Sequence, residues 1–199
     1  MKKVCEMKTV MVDLDDTIVA FSEMFVNKCN AIISRHFDFK KRMKVEDIKT
    51  YSFLYAFLNV YDKLTENHYY EMLNEIFSDT SFYDNAIYTN ESHKIFELLY
   101  AYKNMGYKLI LNTKVSTFEM SMTKINLFKR DKRFDLFDEI ILDMERGEHS
   151  PKPHSYDMMI DDAPQNIENF LEHNKEGLVI MPLRPWNEKF KDNERVIIL

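Results

Sequence analysis

Glycine is scarce in this chain, with three among 199 residues, where the usual share is about 7%. That scarcity excludes glycine-rich nucleotide loops, and neither GxGxxG nor GxxxxGK[ST] occurs. Cysteine is nearly missing too. Two thiols, Cys5 and Cys29, are too few for a disulfide scaffold, so a reducing cytoplasm is the expected compartment. No apolar run approaches the ~18 residues of a membrane span, so a membrane is not an expected partner. The start Met1-Lys2-Lys3 looks like the basic end of a signal peptide, but the apolar run Val10-Met11-Val12 is cut at once by Asp13. Positive charge is in deficit: 27 Lys and Arg against 33 Asp and Glu leave a net charge of −6. Polynucleotides are bound by basic surfaces that release counterions, so they are not expected as partners. A small anion remains compatible, because a local site can be positive on an acidic protein. The six histidines show neither HxxxH nor HExxH spacing, which argues against zinc.

What is present is a core. The chain is 45% hydrophobic and 14% aromatic, and its length suits one domain with a modest insertion. Residues 9–14 form a short, β-branched, apolar run that ends in carboxylates and reads as a buried strand. Further strands are expected at 107–112, 139–142, 157–162, 177–181 and 196–198. Between them, Ile95, Leu98, Leu99 and Tyr102 give one helix an apolar face, and Gly106 suits its C-terminal stop. Ser116-Thr117-Phe118-Glu119 reads as a capping box, with Phe118, Met122 and Ile125 as the inner face of the helix that follows. Pro164 suits the first turn of a helix whose inner face is Ile167, Phe170 and Leu171. Strands alternating with helices imply an α/β fold, a parallel sheet with helices on both faces. Residues 19–88 are mostly helical and too long for one crossover. They are expected as a small helical cap inserted after the first strand, leaving 1–18 and 89–199 as the core domain.

Ligands on such sheets bind at the carboxyl ends of the strands. Asp13-Leu14-Asp15-Asp16-Thr17 stands directly after the first strand, and Asp161-Asp162 repeats the pattern after another apolar run. Crowded carboxylates are costly unless a cation or a proton offsets them. Mg²⁺, held by one or two carboxylates and substrate phosphate oxygens, is a natural offset. Thr113 ends the 107–112 run, and Lys152 lies nine residues before Asp161. Taken alone, the acid run reads equally well as solvated acids, Thr113 reads more readily as a turn residue, and Lys152 as a surface lysine. The specific signal is their order along the chain: acid pair, Thr, Lys, acid pair.

In that order the sequence resembles the haloacid dehalogenase (HAD) superfamily of phosphotransferases. The residues concerned are VMVDLDDT (10–17), LILNT (109–113), Lys152 within SPKPHS, and MMIDDAPQNI (158–167). Within it the chain is most similar to the 5′(3′)-deoxyribonucleotidase family. That closer likeness rests on VDLDDTIVAF (12–21), FYDNA (82–86), the short Lys152-to-Asp161 interval and MPLRPWNE (181–188). That family usually reads Gly-Val where this chain has Asp16-Thr17, and DLDDT is the commoner spelling in the wider superfamily.

The resemblance implies a HAD-like Rossmannoid fold and a Mg²⁺-dependent phosphomonoesterase acting on (deoxy)nucleoside monophosphates. Asp13 is the implied nucleophile, forming an aspartyl-phosphate, and Asp15 the implied acid and then base. Asp13, the Asp15 carbonyl and Asp161 are the implied Mg²⁺ ligands, with Asp162 orienting groups behind them. Thr113 and Lys152 would hold the phosphoryl oxygens, with Lys114 a second phosphate contact. Phe21, Phe82 and Tyr83 fall where nucleotidase aromatics stack on the base. Phosphatases for another small metabolite or for nucleic-acid 3′-phosphate ends share this chemistry, and a binding protein that kept the fold would share the residues. The sequence leaves a homodimer open.

Overall fold

The first strand, β1 (Thr9–Val12), lies inside the sheet rather than at its edge. In the computed structural model, which describes residues 7–144, 152–153 and 155–199, β1 pairs in parallel with β2 (Lys108–Lys114) on one side. On its other side it pairs in parallel with β4 (Met158–Ile160). β3 (Glu139–Asp143) lies beyond β2, and β5 (Leu178–Met181) and β6 (Val196–Ile198) lie beyond β4. The order among the described residues is β3-β2-β1-β4-β5-β6, parallel throughout. The Met1-Lys2-Lys3 start, Cys5, His149 and His154 lie outside the described residues.

Strand side chains alternate between the two faces of a sheet, and both faces of this one are covered. Val10 and Val12 share a cluster with Ile95, Phe96 and Leu99 of α4 (Ser92–Asn104) and Leu127 and Phe128 of α5 (Phe118–Arg130). Met11 points the other way, into a cluster with Met159, Val179 and the Ile167, Phe170 and Leu171 face of α6 (Pro164–His173). Burial on both faces explains why β1 reads as a continuous apolar run.

Between β1 and α4 lie α1 (Phe21–His36), α2 (Phe53–Val60) and α3 (Glu66–Phe77). Their buried Phe25, Phe57, Tyr69 and Ile76 belong to the same cluster as Val10 and Val12. The two ends of this helical segment run side by side. Val19 and Tyr88 form an antiparallel bridge, Ala20 N donates to Ile87 O at 2.8 Å, and Thr89 N donates to Ile18 O at 3.0 Å. No helix among the described residues is long and apolar enough to cross a membrane.

Two local expectations fail at α5, for one reason. Its N-cap is Thr117, whose Oγ1 accepts from Met120 N at 3.1 Å, so Glu119 is not placed to close a box with Ser116. Phe118 is 65% exposed and Met122 37%, while the buried face carries Met120, Ser121, Thr123, Lys124, Leu127 and Phe128. Polar residues turn inward because they have partners there: Thr123 Oγ1 accepts from Tyr83 N at 3.1 Å, and Lys124 makes three contacts described below. A reading by hydrophobicity puts such residues outside.

Gly106 follows the last turn of α4 with φ +85°, and a Cβ there would meet nothing within 4 Å. Gly106→Ala therefore isolates backbone strain. The left-handed conformation costs an L-residue about 1 kcal/mol, and urea unfolding should show a loss of that size with an unchanged m-value.

Candidate active site

At the carboxyl ends of β1 and β4, buried acids meet one ammonium. Asp13 N donates to Ile160 O at 2.8 Å, which brings Asp13 beside the Asp161-Asp162 pair that follows β4. Lys152 Nζ, almost fully buried, donates to Asp13 Oδ1 and, at 3.0 Å, to Asp161 Oδ2. Asn166 on α6 holds both partners: its Oδ1 accepts from Lys152 N at 3.0 Å, and its Nδ2 lies 3.1 and 3.0 Å from the two Asp161 oxygens. Burial pushes the Asp13 carboxyl up to about 7, against the pull of Lys152. Burial would lower the Lys152 value, but the charges of Asp13 and Asp161 hold it above the usual one.

Asp162 is held from two other segments. Thr17 Oγ1 donates to its Oδ1 at 2.9 Å, Trp186 Nε1 to its Oδ2 at 3.0 Å, and Asn187 Nδ2 to its carbonyl at 2.9 Å. Burial, followed by the charges of Asp16, Asp13 and Asp161, raises its carboxyl well above the usual range.

The DLDDT spelling has a local cause. Asp16 has φ +56°, the conformation in which glycine is at ease and which Asp tolerates. An acid there also does what glycine cannot. Its two oxygens accept from Ser22 N at 2.8 Å and Ser22 Oγ at 2.6 Å, satisfying the first turn of α1, whose N-cap Ala20 has no group to offer. Burial raises the Asp16 carboxyl to about 6 despite these bonds. Its carbonyl accepts from Arg184 Nε at 3.1 Å and Nη2 at 2.9 Å.

A second cluster forms at the end of β2. The Asp15 carboxylate accepts from Tyr83 Oη on Oδ1 and from Lys124 Nζ at 2.6 Å on Oδ2. Lys124 Nζ also donates to Thr113 Oγ1 at 2.8 Å and to Lys114 O at 2.7 Å. Burial and then the Asp15 charge hold the Tyr83 phenol well above its ordinary value.

Both clusters border one cavity of about 430 Å³. Asp13, Asp15, Asp162, Lys114, Lys124 and Lys152 line one part of it, and Phe21, Phe25, Tyr51, Phe53, Phe77 and Met120 give it an apolar part. Of the three aromatics singled out in the sequence, Phe21 and Tyr83 line the cavity. Phe82 does not: it is buried, with its ring 5.7 Å from that of Phe21. Thr113 is fully buried and reaches the site through Lys124. Sequence reasoning missed Lys124, Asn166, Thr17 and Trp186. Thr17, Asn166 and Trp186 all stand inside the quoted motifs; Lys124 was hidden by the misplaced face of α5.

The acid group suits a hard cation. Oxygens of Asp13, Asp161 and Asp162 lie within 4.8 Å of one another, all buried, and the described residues add no His or Cys ligand to them. Two of the three carboxyls are raised, first by burial and then by their acidic neighbours, a cost that a bound cation would offset. Oxygen donors alone suit a hard divalent cation of the Mg²⁺ kind better than zinc. The three are not equally available. Asp161 accepts from Ala163 N at 2.9 Å as well as from Asn166 and Lys152, whereas each Asp162 oxygen accepts one bond. Lone-pair availability thus favours Asp162 over Asp161, the reverse of the order that the resemblance implies.

No protein-family model matches the chain, and no curated protein matches it. Solved structures do. A hydrolase of the haloacid dehalogenase-like family from Streptococcus pneumoniae superposes with TM-score 0.61 at 13% identity, covering 96% of this chain and 93% of that one. A predicted phosphatase from Clostridium acetobutylicum gives 0.61 at 14%, covering 96% and 93%. A protein from Bacillus subtilis assigned as a HAD-hydrolase, in a magnesium-bound form, gives 0.53 at 13%, covering 88% of each chain. At these identities the likeness establishes the fold: the chain has the HAD-like α/β architecture.

Two outcomes follow from the buried acids. Asp13 and Asp16, with folded values of about 7 and about 6 against an ordinary 3.8, hold more protons in the native than in the unfolded chain between those limits. Metal-free stability should therefore fall as pH rises through that window. Asp79 and Asp131, lowered to about 2, have already made their full contribution above about pH 4 and do not oppose the trend. Urea midpoints in EDTA should be higher at pH 5 than at pH 7.5, and Asp13→Asn should flatten the slope. Mg²⁺ should also raise the melting temperature, because only the folded chain gathers these acids. Asp162→Asn should remove more of that rise than Asp161→Asn.

Proposed function

We propose that the protein is a Mg²⁺-dependent phosphomonoesterase that works through an aspartyl-phosphate on Asp13 and takes (deoxy)nucleoside monophosphates. The observation that carries this reading is the Asp13 carboxylate, buried beside Asp161 and Asp162 and bridged to Asp161 by Lys152, at the border of a cavity that also has a part rich in aromatic rings. Asp13 and Asp162, with Asp161 beside them and the Asp15 carbonyl that the resemblance adds, would hold the cation. Bound there, Mg²⁺ would offset charge on the phosphoryl oxygens. The magnesium-bound Bacillus subtilis neighbour is consistent with that choice of ion.

In this reading Asp13 attacks phosphorus, the ester oxygen departs with a proton from Asp15, and Asp15 then takes a proton from the water that releases phosphate. Lys152 contacts Asp13 and keeps the nucleophile oriented while offsetting the incoming negative charge. Lys114 lines the cavity and serves as a phosphate contact. Residues 19–88 act as the cap that selects the leaving group, because Phe21, Phe25, Phe53 and Phe77 all come from that segment. A base stacked there gains roughly 1–3 kcal/mol, and Phe21 is the aromatic we assign to it. Phe82 supports Phe21 from behind, and Tyr83 is committed to Asp15. A small-molecule substrate suits a cavity of about 430 Å³ bordered by a helical segment.

The test is phosphate release from a panel of nucleoside 5′- and 3′-monophosphates, sugar phosphates and 3′-phosphorylated oligonucleotides, with Mg²⁺ or EDTA. Mg²⁺-dependent release is expected, strongest on deoxynucleoside monophosphates. Asp13→Asn should lose activity by more than about 10³-fold while keeping its circular dichroism spectrum. Release from sugar phosphates alone would keep the chemistry and replace the substrate class. Mg²⁺ binding without release from any ester would replace the enzyme with a binding protein.

A further inference from the structure

We infer that Lys124 is a positioning residue: its ammonium, held by Thr113 and the Lys114 carbonyl, aims the carboxyl of Asp15 at the departing ester oxygen. This rests on the phosphomonoesterase reading above. An ammonium has three N–H donors, and Lys124 uses them all, on Asp15 Oδ2 at 2.6 Å, Thr113 Oγ1 at 2.8 Å and Lys114 O at 2.7 Å. With the side chain 1% exposed, no donor remains for a substrate. Lys124 therefore acts through its neighbours.

Asp15 is gripped at both oxygens, by Lys124 on Oδ2 and by Tyr83 Oη on Oδ1. Each oxygen keeps a further lone pair, so the proton given to the ester oxygen leaves from a carboxyl group that cannot rotate away. Tyr83 is fixed in turn by the same helix. Its N donates to Thr123 Oγ1 at 3.1 Å, its carbonyl accepts from Arg130 Nη2 at 2.7 Å, and Lys124 Nζ lies 5.5 Å from its ring centre. Thus α5, with no acid of its own in the site, carries the frame that orients Asp15. Its inward polar face, which costs it amphipathic regularity, has this purpose.

A positioning role and a merely structural one separate by leaving group. Nitrophenolate departs without a proton, whereas a benzyl alkoxide needs one, and the two esters are of similar size. With enzyme in excess over 4-nitrophenyl phosphate or benzyl phosphate, the first turnover reads phosphoryl transfer to Asp13 before water is needed, and the acid contributes to it only for the benzyl ester. Lys124→Met should slow release of benzyl alcohol by about 10²-fold or more while nitrophenolate release stays within about tenfold of wild type. Tyr83→Phe, which removes one of the two grips on Asp15, should show the same split on a smaller scale. It carries the test if Lys124→Met does not fold. Equal slowing on both esters in the folded variants would overturn the positioning role. A wild-type protein inactive on both esters with Mg²⁺ would overturn the phosphomonoesterase reading itself.

Discussion

A single ammonium, Lys152 Nζ, stands between Asp13 and Asp161 where β1 and β4 end, and the arrangement of the site follows from it. Three buried carboxylates within 4.8 Å would repel one another strongly without it. Its position is secured through Asn166 and Asn169, which bind the Lys152 backbone and tie the residue to α6. α6 in turn packs Ile167, Phe170 and Leu171 on the sheet face opposite to Val10 and Val12. Hydrophobic packing therefore sets the place of a charge, and that charge permits the acids to gather.

How much of this is legible in the sequence depends on where polarity points. β1, β2, β4 and β5 are buried on both faces, so their apolar runs announce themselves, and the acids at their ends mark the ligand edge. α6 is readable for the same reason, since its apolar face meets an apolar sheet. α5 is not, because its inner surface mixes Leu127 and Phe128 with Thr123 and Lys124. There a hydrophobic pattern selects Phe118 and Met122, which face outward. β2 likewise runs two residues past the expected end at Asn112, taking Thr113 into register with Leu142. Polar residues extend a strand when their backbone is paired, whatever their side chains prefer.

The motif spelling also becomes intelligible only with the backbone in view. The left-handed turn at Asp16 is a conformational demand, and glycine or an acid meets it in different ways. The acid adds a cap for α1, so one residue both closes the turn after β1 and starts the helical segment that carries Phe21 and Phe25. The Asp16 carbonyl is gripped by Arg184, which also pairs with Glu91 at 3.0 Å. The acidic part of the cavity and its aromatic part are thereby coupled through the hydrogen bonds between Asp16 and Ser22.

Asp162 takes a hydrogen bond from Thr17 near the start of the chain and others from Trp186 and Asn187 near position 190. β1, the first strand made, finds its β4 partner only after well over a hundred further residues. On a ribosome, then, the early acids wait. Pairings this distant in sequence form late and slowly, and domains tend to complete themselves as units. The cluster around Asp15 draws on residues made by position 124, but Asp13 meets Lys152, Asp161 and Asp162 only later, so the group of acids that suits a cation is the last part of the site to close.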